Sequence, residues 1–194
     1  MVPLTADAPR TRRREILDAA LEVFTERGYH RAGIEEIRDR SGASIGSIYH
    51  HFGGKEEIAA ALYVEGMADY QRSLSETVRA TSGAEALVRE MVRNHLRWVR
   101  ANPDLARFLL STREADVREA TDDRLKEMNR EMIEAMRDRI AEGGFRPMAS
   151  QLFYALVIGP AQEFARGWLR TRDGAVMREA ERVLPGAAWL AVRA

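Results

Sequence analysis

The residues of this chain whose types and spacing suggest a chemical role lie between Ser41 and Lys55. Ile45 and Ile48 are three residues apart, so on a short helix both face inward, and the polar residues around them point away from the core. That outward set consists of Ser44, Gly46, Ser47, Tyr49 and His50. The stretch contains no Asp or Glu, although the chain has 30 of them. Hydroxyl, phenol and imidazole groups on an acid-free helix suit hydrogen bonding to base edges in the major groove of DNA.

Two short helices joined by a tight turn are needed to present this face. Ile34 and Ile37 share one face of the first helix, and Gly42 follows Ser41 where a helix requires a left-handed residue to stop. Ser44 then caps the second helix. The pattern therefore predicts a helix-turn-helix.

Arginines are clustered where the first helix of the chain is predicted to begin, at about Thr11. The cluster consists of Arg10, Arg12, Arg13 and Arg14. The helix dipole disfavours cations at a helix N-terminus. Two interpretations remain open: a solvated basic entry to the helix, or contact of Arg12 and its neighbours with DNA phosphates.

The run from Ser41 to Glu56 resembles the helix-turn-helix signature of the TetR family of transcriptional repressors. The resemblance is carried by Gly42, Ser44, Gly46, Ile48, Tyr49, Phe52 and Lys55 in that order and spacing. It covers the N-terminal quarter of the chain, and it implies that Tyr49 and Lys55 contact backbone phosphates. It also implies a small-molecule effector cavity among the central helices.

The sequence departs from the family pattern at two places. Ala32 and Gly33 stand where a threonine that caps the next helix and touches phosphate is common, so that phosphate contact is in doubt. Arg38 stands where a small apolar residue is common. Arg38 therefore predicts either an added DNA contact or altered packing.

Composition favours a packed, soluble, cytoplasmic protein. The 194 residues carry no net charge and include no cysteine, which excludes disulfides and thiolate metal sites. No apolar run is long enough to span a membrane, and the first nine residues do not resemble a signal peptide. No cofactor is expected.

Helical periodicity without alternating stretches predicts an all-α fold of about nine helices. We expect a three-helix DNA-binding head at residues 1–53 and a helical effector and dimerisation domain at residues 54–194. Long helices are predicted over residues 55–80, 84–101, 116–142, 150–170, with a kink at Gly159 and Pro160, and 175–190, where Pro185 and Gly186 disturb the helix.

The predicted second domain contains candidates for an effector site. His95 is either a ligand contact or a core histidine satisfied by a hydrogen bond, and the methionines are either core residues or adaptable cavity liners. The predicted lining consists of His95, Trp98, Phe108, Met128, Met132 and Phe153. A mostly apolar lining with one imidazole predicts a hydrophobic or aromatic ligand, not a sugar or nucleotide.

Apolar residues surround more than one face of the predicted helix 150–170, including Phe164 and Trp168. Such a helix must be covered on most sides. Either a second subunit covers it, which predicts a homodimer, or it is the central helix of its own bundle.

The resemblance to the TetR family implies a ligand-responsive transcriptional regulator, most simply a repressor that binds a palindromic operator as a dimer. The alternatives are a helical-bundle enzyme or carrier that binds no DNA, and a helix-turn-helix protein that acts only by recruiting partners. An enzyme is not expected, because the sequence has no His-Glu-x-x-His motif, P-loop or dinucleotide fingerprint.

Overall fold

The computed structural model describes residues 11–111, the single residues 127, 130, 134, 136, 137, 139 and 140, and residues 143–194. The described residues form nine helices and no strand, which confirms the all-α fold. The helices are α1 (Arg12–Arg27), α2 (Ile34–Ser41), α3 (Ile45–His51), α4 (Lys55–Ala80), α5 (Ala84–Ala101), α6 (Pro103–Ser111), α7 (Ser150–Val157), α8 (Gly159–Thr171) and α9 (Gly174–Val192).

The predicted helix ends agree with the structure at the helix-turn-helix. Thr11 caps α1 by accepting a hydrogen bond from the amide of Arg14, and Ser44 caps α3 by accepting one from the amide of Ser47. Gly42 has φ of 65°, and its amide donates to the carbonyl of Arg38. A side chain would be strained at this φ, so glycine permits the tight turn between α2 and α3.

Two of the later predicted helices differ in detail. The predicted helix 150–170 is two helices, because the chain turns at Ile158 just before Pro160, which lies in the first turn of α8. The last helix, by contrast, continues through Pro185 to Val192. A proline inside a helix removes one backbone hydrogen bond, and here α9 remains helical because it packs along α5. The predicted helix 116–142 lies largely outside the described residues.

The chain divides into two compact units, with boundaries after Met67 and Ala101. The described part of the first unit comprises α1, α2, α3, the first half of α4, and α6. The second comprises the rest of α4, α5, α7, α8 and α9. The predicted functional division into residues 1–53 and 54–194 stays a prediction, since compactness alone does not assign function.

The first unit has a continuous apolar core to which α6 contributes one aromatic ring. Phe108 of α6 stacks on Phe24 of α1, with ring centroids 5.6 Å apart. The other fully or nearly buried members are Ile16, Leu17, Ala20, Val23, Ala32, Ile37, Ala43, Ile48, Phe52, Ile58, Ala59 and Leu62. A bidentate ion pair between Arg40 and Glu26 joins α2 to α1, and the hydrogen bonds from Arg40 lower the pKa of Glu26.

Candidate functional site

The outward face of α3 is exposed as predicted. Ile48 is fully buried, whereas Tyr49 is 54% exposed and Ser44, Gly46 and His50 are also exposed. Ser47 is half-buried. No atom from outside the helix lies within 4 Å of the position that a side chain at Gly46 would occupy, so the backbone itself is accessible there. The structure thus places four of the eight predicted DNA-contacting residues on α3 and a fifth, Ser44, at its N-cap.

A groove of about 540 Å³ runs beside this face. Tyr49 and Ile45 of α3 form one side, and the start of α2 forms the other. Its lining consists of Arg31, Gly33, Ile34, Glu35, Glu36, Ile45 and Tyr49. Arg31 supplies the cation in a groove that otherwise holds two carboxylates, so the groove has an exposed guanidinium beside α3.

Lys55 contacts backbone carbonyls in the structure. Its Nζ donates to the carbonyl oxygens of Tyr29 and Ala32, at 3.2 and 3.3 Å, and lies 4.8 Å from the centre of the Tyr29 ring. An ammonium has three donors, so two are used in holding the segment between α1 and α2 against the start of α4. One donor remains for a phosphate.

Arg12 and Arg38 each form an ion pair with a near neighbour in sequence. Arg12 pairs with Glu15 at 2.8 Å, and Arg38 pairs with Asp39 at 2.6 Å. Pairs this exposed contribute at most about 1 kcal/mol, so either arginine can exchange its carboxylate for a phosphate at little cost. Arg38 is half-buried but does not belong to the apolar core of the first unit.

A row of three side-chain hydrogen bonds joins the second half of α4 to α5 within the second unit. Trp98 Nε1 donates to Asp69 Oδ2 at 2.8 Å. Tyr70 and His95 are joined through the hydroxyl and Nδ1 at 3.0 Å, and Ser73 donates to Asn94 Oδ1 at 2.8 Å. The residue numbers run in opposite directions on the two helices, as expected for an antiparallel pair.

Burial determines the charge state of this cluster. His95 is only 6% exposed, and burial lowers its pKa to about 4, so the imidazole is neutral at pH 7. Burial raises the pKa of Tyr70, and the neighbouring hydroxyl of Tyr154, to which Tyr70 is hydrogen-bonded, raises it further. Among the described residues His95 Nε2 is buried with no hydrogen-bond partner.

The remaining predicted ligand residues are distributed between the two units. Phe153, which is 3% exposed, contacts the ring of Phe145 in the second unit. Phe108 belongs to the core of the first unit. Met128 and Met132 lie outside the described residues. The structure therefore groups His95 with Trp98 through their shared neighbour Tyr70 and places Phe108 in the core of the first unit.

The two predicted dimer residues differ in exposure. Trp168 is 6% exposed, and its Nε1 donates to the carbonyl of Asp173 at 2.8 Å, so its ring packs within the second unit. Phe164 is half-buried. A more exposed apolar stripe lies on α9, where Val176, Val183 and Leu190 recur every seven residues on one face and are 44%, 47% and 57% exposed.

Sequence reasoning missed the partners of the predicted residues. Asp69 and Tyr70 orient Trp98 and His95, Tyr154 extends the hydrogen-bonded chain, and Tyr29 holds Lys55. Each pairing joins positions at least 25 residues apart. The available signal was the polar spacing of Asp69, Tyr70 and Ser73 on the predicted helix 55–80, which marks a polar edge facing a neighbour.

Within the described ranges, no group of three or more histidine or acidic residues is arranged to hold a metal ion. None of the helices found in those ranges is long and apolar enough to cross a membrane.

Comparison with known proteins agrees with the helix-turn-helix geometry. Residues 16–62 match the family model described as bacterial regulatory proteins, tetR family. The HTH-type transcriptional repressor KstR2 of Mycobacterium tuberculosis is 30% identical over 145 residues, which cover 71% of this chain and 70% of that protein. The fatty acid metabolism regulator protein of Bacillus subtilis is 29% identical over 97 residues, so the match spans only half the length of that relative and half of this chain.

Comparison of folds finds similarity to solved structures over almost the whole chain. The crystal structure of the transcriptional regulator FadR from Bacillus subtilis in complex with stearoyl-CoA superposes with a TM-score of 0.75 and 21% identity, covering 90% of this chain and 96% of that one. At this identity the superposition demonstrates a shared fold. With the 30% identity to KstR2 and the family match across the helix-turn-helix, it shows that this chain belongs to the TetR family of bacterial regulatory proteins.

Proposed function

We propose that this protein is a ligand-responsive transcriptional repressor that binds a palindromic operator as a cytoplasmic homodimer and releases it on binding a hydrophobic small molecule. The observation that supports DNA binding is the exposed, acid-free face of α3, the helix that follows the turn at Gly42. Ser44, Ser47 and His50 contact base edges, and Gly46 lets the backbone approach closely.

Phosphate contacts fix the position of α3 on the duplex. Tyr49 is exposed at the edge of the base-reading face, Lys55 retains one donor, and Arg12 holds only an exposed ion pair. Arg38 joins this set because its partner Asp39 is exposed and adjacent in sequence. Together these side chains supply the sequence-independent part of DNA affinity.

The apolar stripe on α9 supports the dimer. Val176, Val183 and Leu190 line up on one face of a 19-residue helix, and Phe164 of α8 is half-buried within the same unit. A seven-residue repeat of exposed apolar side chains is typical of a helix that packs against another helix. A second copy of the chain is the simplest cover, because one symmetric surface then serves both subunits.

The effector part rests on the second unit and on the relatives. His95 and Trp98 form part of a buried polar and aromatic cluster, and a related regulator has been crystallised with stearoyl-CoA. Stearoyl-CoA is therefore the first probe to test. A ligand that weakens DNA affinity 100-fold must prefer the DNA-free form by about 2.7 kcal/mol.

Selection of bound sequences from a random DNA library tests the proposal directly. We expect enrichment of a palindrome whose half-sites lie about one helical turn, roughly 34 Å, or a multiple of it apart. His50→Ala is the informative variant, because it should relax the preference at particular base pairs while leaving selection elsewhere intact. If the unmodified protein enriches no sequence, the repressor proposal is wrong.

A further inference from the structure

The groove beside α3 holds two carboxylates, and they differ in what they contact. Glu36 is half-buried, and both its oxygens are engaged: one accepts from the amide of Gly33 at 3.4 Å, and the other pairs with Nε of Arg27 at 3.2 Å. Glu35 is exposed and lines the same groove, and among the described residues neither Arg31 nor any other group forms an ion pair or hydrogen bond with its side chain. The oxygens of Glu35 are therefore available to a donor from outside the protein.

The groove places Glu35 next to the helix that is proposed to read bases. Ile45 and Tyr49 form the α3 side of the groove, and Gly33 and Ile34 form the opposite side with Glu35. Apart from its chain neighbours, no atom lies within 4 Å of the position that a side chain at Gly33 would occupy, so the groove is open there to an approaching duplex. When α3 lies in the major groove of DNA, Glu35 is thus beside the base pairs that α3 contacts.

The chemistry of a carboxylate restricts the bases that it can contact. A carboxylate on a surface that faces DNA weakens binding through repulsion from the phosphates unless it meets a hydrogen-bond donor. The major groove offers two base donors, the N4 amino group of cytosine and the N6 amino group of adenine. Adenine also presents the acceptor N7 beside N6, and a carboxylate has no donor with which to satisfy it. Cytosine is therefore the base that Glu35 suits.

Arg31 supplies the positive charge that a carboxylate needs close to the DNA backbone. Its Nε donates to the carbonyl oxygen of Arg27 at 3.1 Å, which holds the guanidinium at the groove. The terminal nitrogens of Arg31 have no partner within the described part of the chain, and the side chain is exposed. A guanidinium of this kind suits a phosphate, whose charge it offsets where Glu35 approaches the duplex.

We infer that Glu35 is a specificity-determining residue that accepts a hydrogen bond from the N4 amino group of one cytosine in each half-site. This inference rests on the proposed function, because it names a base that the proposed DNA-binding surface reads. A carboxylate in the first turn of a helix also stabilises that helix through the helix dipole, whatever the DNA sequence. Base preference is the quantity to measure, because the effect on the helix does not change it.

Selection from a random DNA library is compared for the unmodified protein and two variants. We expect the unmodified protein to prefer cytosine about tenfold at one position of each half-site, since one base contact is worth about that factor. Glu35→Ala should lose the preference at that position and keep the rest of the selected sequence. Glu35→Gln should prefer adenine there, because an amide can bond to both N6 and N7.

Glu76→Gln is the matched control for the loss of charge. Glu76 is also exposed on α4, but it belongs to the second unit, so Glu76→Gln should select the same cytosine as the unmodified protein. Circular dichroism melts check that every variant is folded. Glu35→Gln keeps the size of the side chain, so it keeps the test decisive if Glu35→Ala does not fold.

A modified base tests the same contact from the DNA side. N4-Methylcytosine at the selected position replaces the amino hydrogen that faces the major groove with a methyl group. We expect fluorescence anisotropy to show that the unmodified protein binds the methylated operator about tenfold more weakly than the unmethylated one. Glu35→Ala should bind the two operators within about twofold of each other, because it lacks the acceptor.

The possible failures of the inference and of the proposed function can be told apart. If Glu35→Ala selects the same bases as the unmodified protein, or if methylation weakens both proteins equally, Glu35 does not read this base and sequence-specific DNA binding stands. If the position that depends on Glu35 holds a base other than cytosine, or if Glu76→Gln also loses the preference, the assignment of cytosine to Glu35 is wrong. If the unmodified protein enriches no sequence, the inference and the proposed function both fail.

Discussion

Lys55 has two roles: it forms hydrogen bonds within the protein and, in the proposed complex, it contacts DNA. Its Nζ holds two carbonyl oxygens between α1 and α2, and its remaining donor is available for a phosphate. Lys55→Ala should therefore weaken binding to all DNA sequences about equally and reduce the salt slope by about 0.9, one phosphate's worth. It should also destabilise the protein by about 1–2 kcal/mol, since hydrogen bonds from a charged group are lost.

Anisotropy titrations at several salt concentrations and a urea melt measure the two effects of Lys55→Ala separately. Ser47→Ala is the matched control, because it should change base preference with little change in the salt slope. If Lys55→Ala leaves the DNA affinity and the salt slope unchanged, Lys55 does not contact a phosphate. Its role is then limited to the hydrogen bonds with the carbonyl oxygens of Tyr29 and Ala32.

His95 should make stability depend on pH. Its pKa is lowered to about 4 by burial, whereas the unfolded chain has the ordinary value of about 6.5. Between these values the unfolded state binds more protons, so the free energy of unfolding falls as pH falls through this range and levels off below about pH 4. The neighbouring Tyr70 and Tyr154 stay neutral throughout, because burial raises their pKa values.

The shift of His95 corresponds to about 3 kcal/mol. Urea melts of the unmodified protein and of His95→Phe at pH 7, 6, 5 and 4 measure the difference, in which the carboxylates common to both cancel. We expect the free energy of unfolding of the unmodified protein to fall by about that amount, relative to that of His95→Phe, as pH falls from 7 to 4. Parallel curves would mean that His95 is protonated as easily in the folded protein as in the unfolded chain.

At the scale of helices, α6 belongs to the first unit. Phe108 is 3% exposed and stacks on Phe24, and Leu105 and Leu109 lie against Gly66 of α4. Phe108→Ala should therefore destabilise the protein by about 3–5 kcal/mol and weaken DNA binding, whereas Phe108→Leu should cost much less. A residue that only lined a ligand cavity would affect ligand binding and leave the first unit intact.

Thermal melts and DNA titrations of both Phe108 variants distinguish these outcomes. If Phe108→Ala melts like the unmodified protein and binds DNA normally, Phe108 is not part of the core that supports α3.

Local signals predicted the helices well, and non-local packing explains what they missed. Gly42 and the cap at Ser44 act within a few residues, so the boundaries of α2 and α3 could be predicted from the sequence. The partnership of Tyr70 with His95 depends on the register between α4 and α5. The placement of Phe108 depends on which of two cores α6 joins, and helical periodicity carries information on neither.

At the scale of the whole molecule, the stripe on α9 predicts the state of assembly. The unmodified protein should be a dimer by light scattering at micromolar concentration. Val183→Arg places a charge at the centre of the stripe on an exposed position, so it should give a folded monomer with far weaker binding to a palindrome.

Arg178→Glu is the control for Val183→Arg, because it changes charge on α9 away from the stripe and should leave the dimer intact. Circular dichroism confirms folding of both variants. If the unmodified protein is a monomer, the dimer prediction is wrong. If Val183→Arg remains a dimer, the interface does not include this face of α9.

The stacking of Phe108 on Phe24 has a consequence for synthesis on the ribosome. The first unit lacks α6 until the 44 residues from Ala68 to Ser111 have been added. At about 5–20 residues per second, translation leaves the apolar face around Phe24 uncovered for roughly 2–9 s. That interval is long compared with helix formation, so we expect the nascent first unit to expose this apolar face to chaperones until α6 has been synthesised.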